Sequence, residues 1–193
     1  DSHVFGEMKY YNADGKEGSL CGNGGRCLAA FALTLGLWKD KISFIASDGV
    51  HEVSKMDNGW IQLKMQDVNE IERNHDSTIL NTGSPHYVKY TDAIEKVDVV
   101  QEGRKIRNSE RFIKEGINVN FIEYGTNGLL IRTYERGVED ETLACGTGIT
   151  AAALAAAGNK NQEYEIPIKA LGGDLKVRFE KTDNQHFRNI WLC

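Results

Sequence analysis

The chain has 193 residues, and its 23 Lys and Arg against 28 Asp and Glu give a net charge of −5. With 40% hydrophobic and 26% charged residues, it has the composition of a globular protein. The acidic balance disfavours nucleic-acid binding, and no apolar run approaches the roughly 20 residues of a membrane span. No signal peptide is visible and the four cysteines are too scattered for a disulfide framework, so we expect a cytoplasmic protein.

Hydrophobic periodicity and turn residues predict an alternation of strands and helices along the chain. In chain order, the predicted elements are a strand at 4–11, a helix at 26–35, strands at 42–46, 50–56 and 60–65, a strand pair within 78–90, a helix at 97–106, strands at 119–124 and 129–135, a helix at 149–157, and strands at 164–170, 174–180 and 189–193. The middle helix ends in basic residues, which we interpret as a solvated face rather than a nucleic-acid site, because the chain is acidic overall.

An internal repeat organises these elements, because the first and last thirds of the chain align when one is shifted by 124 residues. Identical residues then coincide without a gap at Tyr10/Tyr134, Glu17/Glu141, Cys21/Cys145, Gly22/Gly146, Gly24/Gly148, Ala29/Ala153, Ala32/Ala156, Ile42/Ile166, Gly49/Gly173 and Val53/Val177. Chance similarity of two alanine-rich helices would not also align cysteine, tyrosine and glycine. We therefore predict an α+β protein of two pseudo-symmetric domains, residues 1–66 and 67–193, each a curved, mostly antiparallel sheet wrapped around a central helix.

The two copies differ in the length of chain that precedes their shared cysteine. If the second copy begins near Asp67, 78 residues precede Cys145, whereas 20 precede Cys21. The first copy is then 58 residues shorter. We expect the chain to be a fragment that contains only part of its first domain.

Cys21 and Cys145 each stand directly before a glycine-rich helix start. The free N–H groups and the positive dipole at such a start lower a thiol pKa towards neutrality and can hold a carboxylate. A pseudo-two-fold axis can bring both thiols to one cleft, where one removes a proton from a carbon while the other protonates the opposite face. Such a pair inverts a stereocentre and titrates as a coupled unit, one thiolate and one thiol. No cofactor motif is evident, although a Schiff-base lysine stays open.

The remaining cysteines and their spacing predict neither a metal site nor a further catalytic residue. Cys21 and Cys27 lie six residues apart, which is not zinc-site spacing, so no metal is predicted. Cys27 lies within an apolar helix and is interpreted as a small buried hydrophobe. Cys193 has no repeat partner and receives no role.

Several motifs together resemble those of the diaminopimelate epimerase family, over essentially the whole chain. They are the loops Leu20-Cys21-Gly22-Asn23-Gly24-Gly25-Arg26-Cys27 and Ala144-Cys145-Gly146-Thr147-Gly148, with Asn12-Ala13-Asp14-Gly15, Gly116-Ile117-Asn118-Val119 and Tyr134-Glu135-Arg136-Gly137. The resemblance implies a two-domain fold with the site between the domains. It also implies cofactor-independent interconversion of LL- and meso-diaminopimelate, in the route to lysine and peptidoglycan.

Position by position, the resemblance implies the following site. Cys21 and Cys145 are the acid and base, and His86 and Glu135 tune the two thiols. The residues implied to hold the substrate are Asn12, Gly22, Asn23, Asn118, Glu135, Arg136, Gly146 and Thr147. For His86, a merely surface-exposed side chain after Pro85 is an equal alternative, and for Asn12 a turn role stays open. The implied partner is a small amino-acid substrate, neither nucleic acid nor membrane, and a homodimer stays open.

Two departures from the family pattern bear on activity. The family's Gly-Asn-Pro-His stands here as Gly83-Ser84-Pro85-His86, so that a shorter hydroxyl, which a water could extend, replaces a substrate-binding asparagine. The family's opening segment, with another such asparagine, has no counterpart, which leaves the activity of this chain by itself open.

Three rival functions remain. Proline and hydroxyproline racemases of the same fold carry Cys-Gly-His-Gly in the first loop, where Asn23 favours the epimerase. The related phenazine-biosynthesis isomerases lack the cysteine pair. A truncated, non-catalytic ligand-binding remnant is disfavoured because both cysteines and Glu135-Arg136 are kept.

Overall fold

Strands dominate the computed structural model, which describes residues 4–11, 15, 17–18 and 20–193. The strands within this range are β1 (Val4–Glu7), β2 (Tyr10–Tyr11), β3 (Glu17–Gly18), β4 (Lys41–Ala46), β5 (Gly49–Lys55), β6 (Ile61–Lys64), β7 (Ile71–Arg73), β8 (Ser77–Asn81), β9 (Pro85–Tyr90), β10 (Asn118–Gly125), β11 (Gly128–Glu135), β12 (Asp140–Thr142), β13 (Glu163–Ala170), β14 (Gly173–Lys181) and β15 (Phe187–Leu192). The α-helices are α1 (Gly22–Thr34), α2 (Val99–Arg107) and α3 (Gly146–Ala155). This mixture confirms the predicted α+β class.

One large sheet runs through both halves of the described chain, in the order β1-β4-β5-β6-β15-β14-β13-β11-β10-β9-β8-β7, with β12 added beside β11. Most neighbours are antiparallel, and the parallel pairs are β1 with β4, β9 with β10, and β11 with β13. The halves join where β6 pairs with β15, with Trp191 opposite Lys64 and Leu192 opposite Leu63. The predicted boundary between residues 66 and 67 stays a prediction.

The strand register confirms the predicted repeat. In the hairpin β4–β5, Ile42 pairs with Val53 and Ala46 with Gly49. In β13–β14 the residues 124 positions later pair in the same way, Ile166 with Val177 and Ala170 with Gly173. The parallel pairs β1–β4 and β11–β13 agree at the start of β1, since Val4 lies opposite Ser43 and Leu129 opposite Ile168, but the register of β1–β4 then shifts before Glu7. The shift of 124 therefore relates backbone geometry as well as residue identity.

The two repeated helices differ in burial. All ten residues of α3 are buried, and the helix packs against strands on several sides, so the predicted wrapping is confirmed there. In α1 only Gly22, Gly25, Ala29 and Ala32 are buried, and the side chain of Phe31 is 62% exposed. The prediction that strands wrap α1 all round is therefore wrong for the described residues. No described helix is long and apolar enough to cross a membrane.

The predicted bounds deviate most at two helix starts and at the first strand, since the predicted strand 4–11 is divided into β1 and β2, which belong to different sheets. α1 begins at Gly22 rather than residue 26, and α3 begins at Gly146 rather than residue 149. Glycine has a low helix propensity, so the sequence pattern suggests a loop, whereas the close packing of the two helix starts favours residues without a side chain. α2 begins at Val99 after the N-cap Asp98, whose Oδ1 accepts a hydrogen bond from Gln101 N at 2.9 Å.

Candidate active site

The two repeated cysteines are the N-cap residues of the two repeated helices. Cys21 precedes α1 and Cys145 precedes α3, and both have extended backbone conformations. Cys21 Sγ accepts a hydrogen bond from Gly24 N at 3.3 Å. An N-cap places its side chain beside the N–H groups that have no intrahelical partner, so both thiols lie at the positive ends of helices.

The two helix starts touch each other, and glycine makes this possible. A Cβ on Gly146 would lie 3.2 Å from Gly22 Cα, and a Cβ on Gly22 would lie 3.5 Å from Gly146 Cα. Both positions also face Leu192 Cδ2, within 3.0 Å of either added carbon. A side chain at Gly146 would therefore press on the main chain of Gly22, and one at Gly22 would press on the Leu192 side chain.

A cleft of about 240 Å³ opens where the helix starts meet. Its lining contains the predicted residues Cys21, Gly22, Asn23, Asn118, Glu135, Arg136, Cys145, Gly146 and Thr147. The structure thus brings together residues that are more than 120 positions apart in the chain, as the pseudo-two-fold repeat predicts. Asn12 lies outside the described residues.

His86 lies behind this cleft rather than in it. Its side chain on β9 is fully buried, so the alternative of a surface-exposed histidine is wrong. Nε2 lies 2.9 Å from Thr147 Oγ1 and 3.0 Å from Ser84 Oγ. Burial, assisted by the positive charge of Arg136, lowers the pKa of His86 to about 3. The imidazole is therefore neutral at physiological pH and connects to the cleft through two hydroxyl groups.

The prediction of a lowered thiol pKa is wrong for Cys145, whose pKa is raised. Although the residue keeps partial exposure to the cleft, burial of the thiol raises its pKa to about 11, and the negative charge of Glu135 acts in the same direction. The Thr147 hydroxyl, whose Oγ1 lies 3.5 Å from Cys145 Sγ, opposes this shift. Desolvation thus outweighs the helix dipole at this position, and Cys145 holds its proton at neutral pH.

The polar lining is held in place by hydrogen bonds between the two copies and within the second copy. Asn23 Nδ2 donates to Ala144 O at 2.9 Å, which ties the first cysteine loop to the second. Asn118 Oδ1 accepts from Arg136 N at 2.9 Å, and Thr142 Oγ1 donates to Glu135 Oε2 at 2.8 Å. These contacts hold the predicted substrate-binding side chains in fixed positions around the cleft.

The lining also includes residues that were not predicted for the site. They are Tyr10, Leu20, Gly137 and Ala144, together with Ser84, which was noted only as a departure from the family pattern. Burial raises the pKa of Tyr10, and the nearby Cys21, Glu135 and Cys145 add to this effect. The repeat aligns Tyr10 with Tyr134, which is buried away from the cleft and donates to Glu139 Oε2 at 2.8 Å. The repeat alone therefore could not mark Tyr10 as a cleft residue.

Two further cysteines take different environments. Cys27 is exposed, so its interpretation as a buried hydrophobe is wrong, because the face of α1 on which it lies is open in the described residues. Cys193 is buried, and burial raises the pKa of its thiol. Among the described side chains, no group of three His, Cys, Asp or Glu is arranged to hold a metal ion.

Solved structures share this fold at low sequence identity. A phenazine biosynthesis protein of the PhzF family from Bacillus anthracis matches with a TM-score of 0.73 at 13% identity, covering 96% of this chain and 76% of that chain. A hydroxyproline epimerase from Agrobacterium vitis matches with a TM-score of 0.69 at 12% identity, covering 100% of this chain and 69% of that chain. These matches confirm the predicted fold class.

Sequence comparisons are more specific. A family model described as diaminopimelate epimerase matches residues 78–189. The diaminopimelate epimerase of Flavobacterium psychrophilum is 47% identical over 188 residues, covering 96% of this chain and 73% of the relative. That of Chlorobaculum tepidum is 41% identical, and this chain spans 60% of its length. The shared fold, the paired cysteine loops and these identities show that the chain belongs to the diaminopimelate epimerase family.

Proposed function

We propose that this chain forms the catalytic cleft of a diaminopimelate epimerase, an isomerase that interconverts LL- and meso-2,6-diaminopimelate through two cysteines and without a cofactor. One observation carries the proposal: the N-cap cysteines of two abutting helices line the same cleft. Two thiols on opposite sides of one carbon can exchange a proton on both of its faces.

The proposed step balances with one proton on each side. One cysteine, as thiolate, takes the α-proton and becomes a thiol, while the other, as thiol, gives its proton to the opposite face of the carbon and becomes a thiolate. Cys145, which holds its proton because burial raises its pKa, is suited to give the proton in the resting cleft. For the opposite stereoisomer the roles reverse, and the pair behaves as a coupled unit.

The negative charge that develops beside the α-carboxylate needs electrostatic stabilisation. Gly22 and Asn23 occupy the first turn of α1, and Gly146 and Thr147 occupy that of α3, where backbone N–H groups have no intrahelical partner. Two helix starts that converge on one carboxylate would stabilise the carbanion as it forms. The glycines allow the carboxylate to approach this backbone closely.

The remaining polar lining would hold the distal amino-acid end of the substrate. Arg136 offers a guanidinium for a carboxylate, and Glu135 offers a carboxylate for an ammonium group. Asn118, whose amide is already bound to Arg136 N and to Pro85 O, would act largely by fixing these neighbours. Asn12 keeps its proposed role in binding the substrate. Glu135 also fits the proposed role of tuning a thiol, since its charge raises the pKa of Cys145.

The chemistry also suggests a setting for the enzyme. Both thiols must stay reduced to transfer protons, which the cytoplasm favours. The proposed product, meso-diaminopimelate, places the reaction in the route to lysine and peptidoglycan. A small-molecule substrate is the partner we propose.

Deuterium exchange tests the proposal. The protein that carries this chain is incubated with LL-diaminopimelate in D₂O, and deuterium at the α-carbon is followed by mass spectrometry alongside formation of the meso isomer. We expect exchange and epimerisation together, and neither in the Cys21→Ala/Cys145→Ala double variant. Exchange that survives in the double variant, or activity on proline instead of diaminopimelate, would contradict the proposal.

A further inference from the structure

A buried asparagine lies behind His86, on the side away from the cleft. We infer that Asn120 and Thr133 are positioning residues that fix the tautomer of His86 and thereby direct the Thr147 hydroxyl at the Cys145 thiol. The tautomer follows from the hydrogen-bond geometry by itself. Its catalytic consequence rests on the proposed function.

Asn120 occupies a fully enclosed position. It lies on β10, directly opposite Thr133 of β11, and its side chain has no solvent exposure. A Cβ at Gly148, in the first turn of α3, would overlap Asn120 Oδ1. The absence of a side chain at Gly148 therefore lets the start of α3 sit directly on this amide. An amide buried this deeply needs a partner for each of its polar atoms.

The partners of Asn120 determine which way its amide points. Its Nδ2 lies 3.2 Å from Tyr87 O, a backbone carbonyl that can only accept. Its Oδ1 accepts a hydrogen bond from Thr133 Oγ1 at 3.0 Å. A flipped amide would place two acceptors against each other at Tyr87 O, so the NH₂ group must occupy this side.

The orientation of the amide then determines which ring nitrogen of His86 carries the proton. The second hydrogen of Asn120 Nδ2 is directed at His86 Nδ1, at 3.1 Å. An amide NH₂ donates only, so Nδ1 must accept and carries no proton. In a neutral imidazole the single N–H must then be on Nε2. Burial, which lowers the pKa of His86, favours this neutral form.

The Nε2 proton sets the direction of the hydrogen bonds that reach the thiol. Nε2 lies 2.9 Å from Thr147 Oγ1 and 3.0 Å from Ser84 Oγ. Because a protonated Nε2 can only donate to these two hydroxyl oxygens, the Thr147 proton is not taken up by the imidazole and is free to point elsewhere. Ser84 Oγ, 3.1 Å away, can donate to Thr147 Oγ1 as a second hydroxyl. Thr147 then directs its own proton at Cys145 Sγ, 3.5 Å away. His86 therefore supports the Cys145 thiolate as a hydrogen-bond donor, and takes no proton from it.

Nitrogen NMR of protein labelled with ¹⁵N-histidine tests the tautomer directly and needs no substrate. Long-range ¹H–¹⁵N correlation shows which ring nitrogen carries the proton, and a His86→Gln variant identifies the signals. We expect His86 as the neutral Nε2–H form at pH 7. An Nδ1–H form or an imidazolium would overturn the inference. His51, a buried histidine whose Nε2 lies 2.9 Å from Asp48 Oδ1, is an internal control that should stay unchanged in all variants.

An Asn120→Asp substitution replaces the hydrogen-bond donor opposite His86 Nδ1 with an acceptor. A carboxylate accepts where the amide donated, so Nδ1 of His86 should become protonated, which the same spectrum detects. If the proton stays on Nε2 alone while the new carboxyl group is ionised, as its ¹³C chemical shift shows, Asn120 does not set the tautomer.

Two milder changes test the effect on the thiol. Thr133→Val removes one hydroxyl and leaves the Tyr87 contact intact, and Asn120→Leu removes the amide. For Asn120→Leu we expect alkylation of Cys145 at fixed pH and kcat to fall about tenfold each, with KM changed less than twofold, since one hydrogen bond to a charged group is lost. Thr133→Val should lower the Cys145 alkylation rate and kcat by a smaller factor. If Asn120→Leu does not fold, Thr133→Val tests the positioning role instead.

An unchanged kcat and an unchanged Cys145 alkylation rate in a folded variant would overturn the positioning role. A wild-type protein without α-proton exchange would instead contradict the proposed function, whereas the tautomer measurement would stand.

Discussion

The two cysteine helices share a sequence pattern and an N-cap geometry, yet they differ in almost everything around them. α3 is buried along its whole length, whereas α1 buries four small residues and leaves Phe31 62% exposed. Both thiols face a backbone N–H of their own helix, from Gly24 and from Gly148, but the Cys145 thiol also faces a hydroxyl that leads to a buried histidine. A repeat therefore preserves the position of a functional group more faithfully than it preserves the surroundings that set its chemistry.

The largest expected effect tests whether the two helix starts are equivalent in catalysis. Replacing Cys21 or Cys145 singly with Ala should lower kcat for diaminopimelate epimerisation by about 10² to 10⁴, the usual contribution of one general acid or base. Amino-acid analysis that separates the LL and meso isomers measures this kcat. Cys27→Ala is the matched control, because Cys27 is exposed and outside the cleft lining, and it should keep the wild-type rate. A single variant that retains more than a tenth of the rate would show that its cysteine is not part of an acid–base pair.

The next effect compares the packing of the two helices. Leu154 of α3 has no exposure, so Leu154→Ala should lower the free energy of unfolding by about 2 to 5 kcal/mol. Phe31→Ala removes a larger side chain from α1 but should change the free energy by no more than about 0.5 kcal/mol, since Phe31 is mostly in solvent. Urea unfolding followed by circular dichroism measures both. Similar losses in the two variants would mean that α1 is covered in solution.

The smallest effect concerns pH. The pKa of Cys145 is raised from 9.0 to about 11 in the folded protein, so the folded state binds the proton more tightly than the unfolded state. The associated stability is fully present below pH 9 and is lost as the pH rises through 11, by up to about 2 kcal/mol after allowing for partial exposure. In unfolding free energies measured from pH 8 to 11.5, the wild type should lose up to about 2 kcal/mol relative to Cys145→Ala. Parallel profiles would contradict the raised pKa.

Much of the site could be predicted from the sequence because the internal repeat shows which residues occupy equivalent positions in the fold. The shift of 124 residues predicts that Cys21 and Cys145 occupy equivalent places, and the register of Ile42 with Val53 and of Ile166 with Val177 bears this out. Alternating apolar residues and glycine turns also placed most strands within two residues of their observed bounds. Alternation of apolar residues and glycine turns depends only on neighbouring residues, so it predicts strands without knowledge of the tertiary structure.

Burial and protonation could not be predicted, because they depend on residues far apart in the chain. The lowered pKa of His86 arises from its enclosure in the sheet and from the charge of Arg136. The exposure of Cys27 depends on what packs against α1, and the role of Tyr10 in the cleft depends on a fold that brings it beside Glu135. Sequence periodicity describes each element by itself and carries no information on such distant neighbours.

The contact between Gly22 and Gly146 has a consequence for how the two halves of the protein can change over time. A Cβ on Gly146 would lie 3.2 Å from the main-chain Cα of Gly22, whereas a Cβ on Gly22 would first meet the Leu192 side chain at 2.9 Å. Because that contact is with the main chain, no substitution at position 22 can make room for a side chain at position 146. Two copies of a duplicated unit are free to diverge wherever they meet different neighbours, but here each copy meets its own equivalent residue. At position 146 the equivalent residue of the other copy therefore limits how far the second half can diverge.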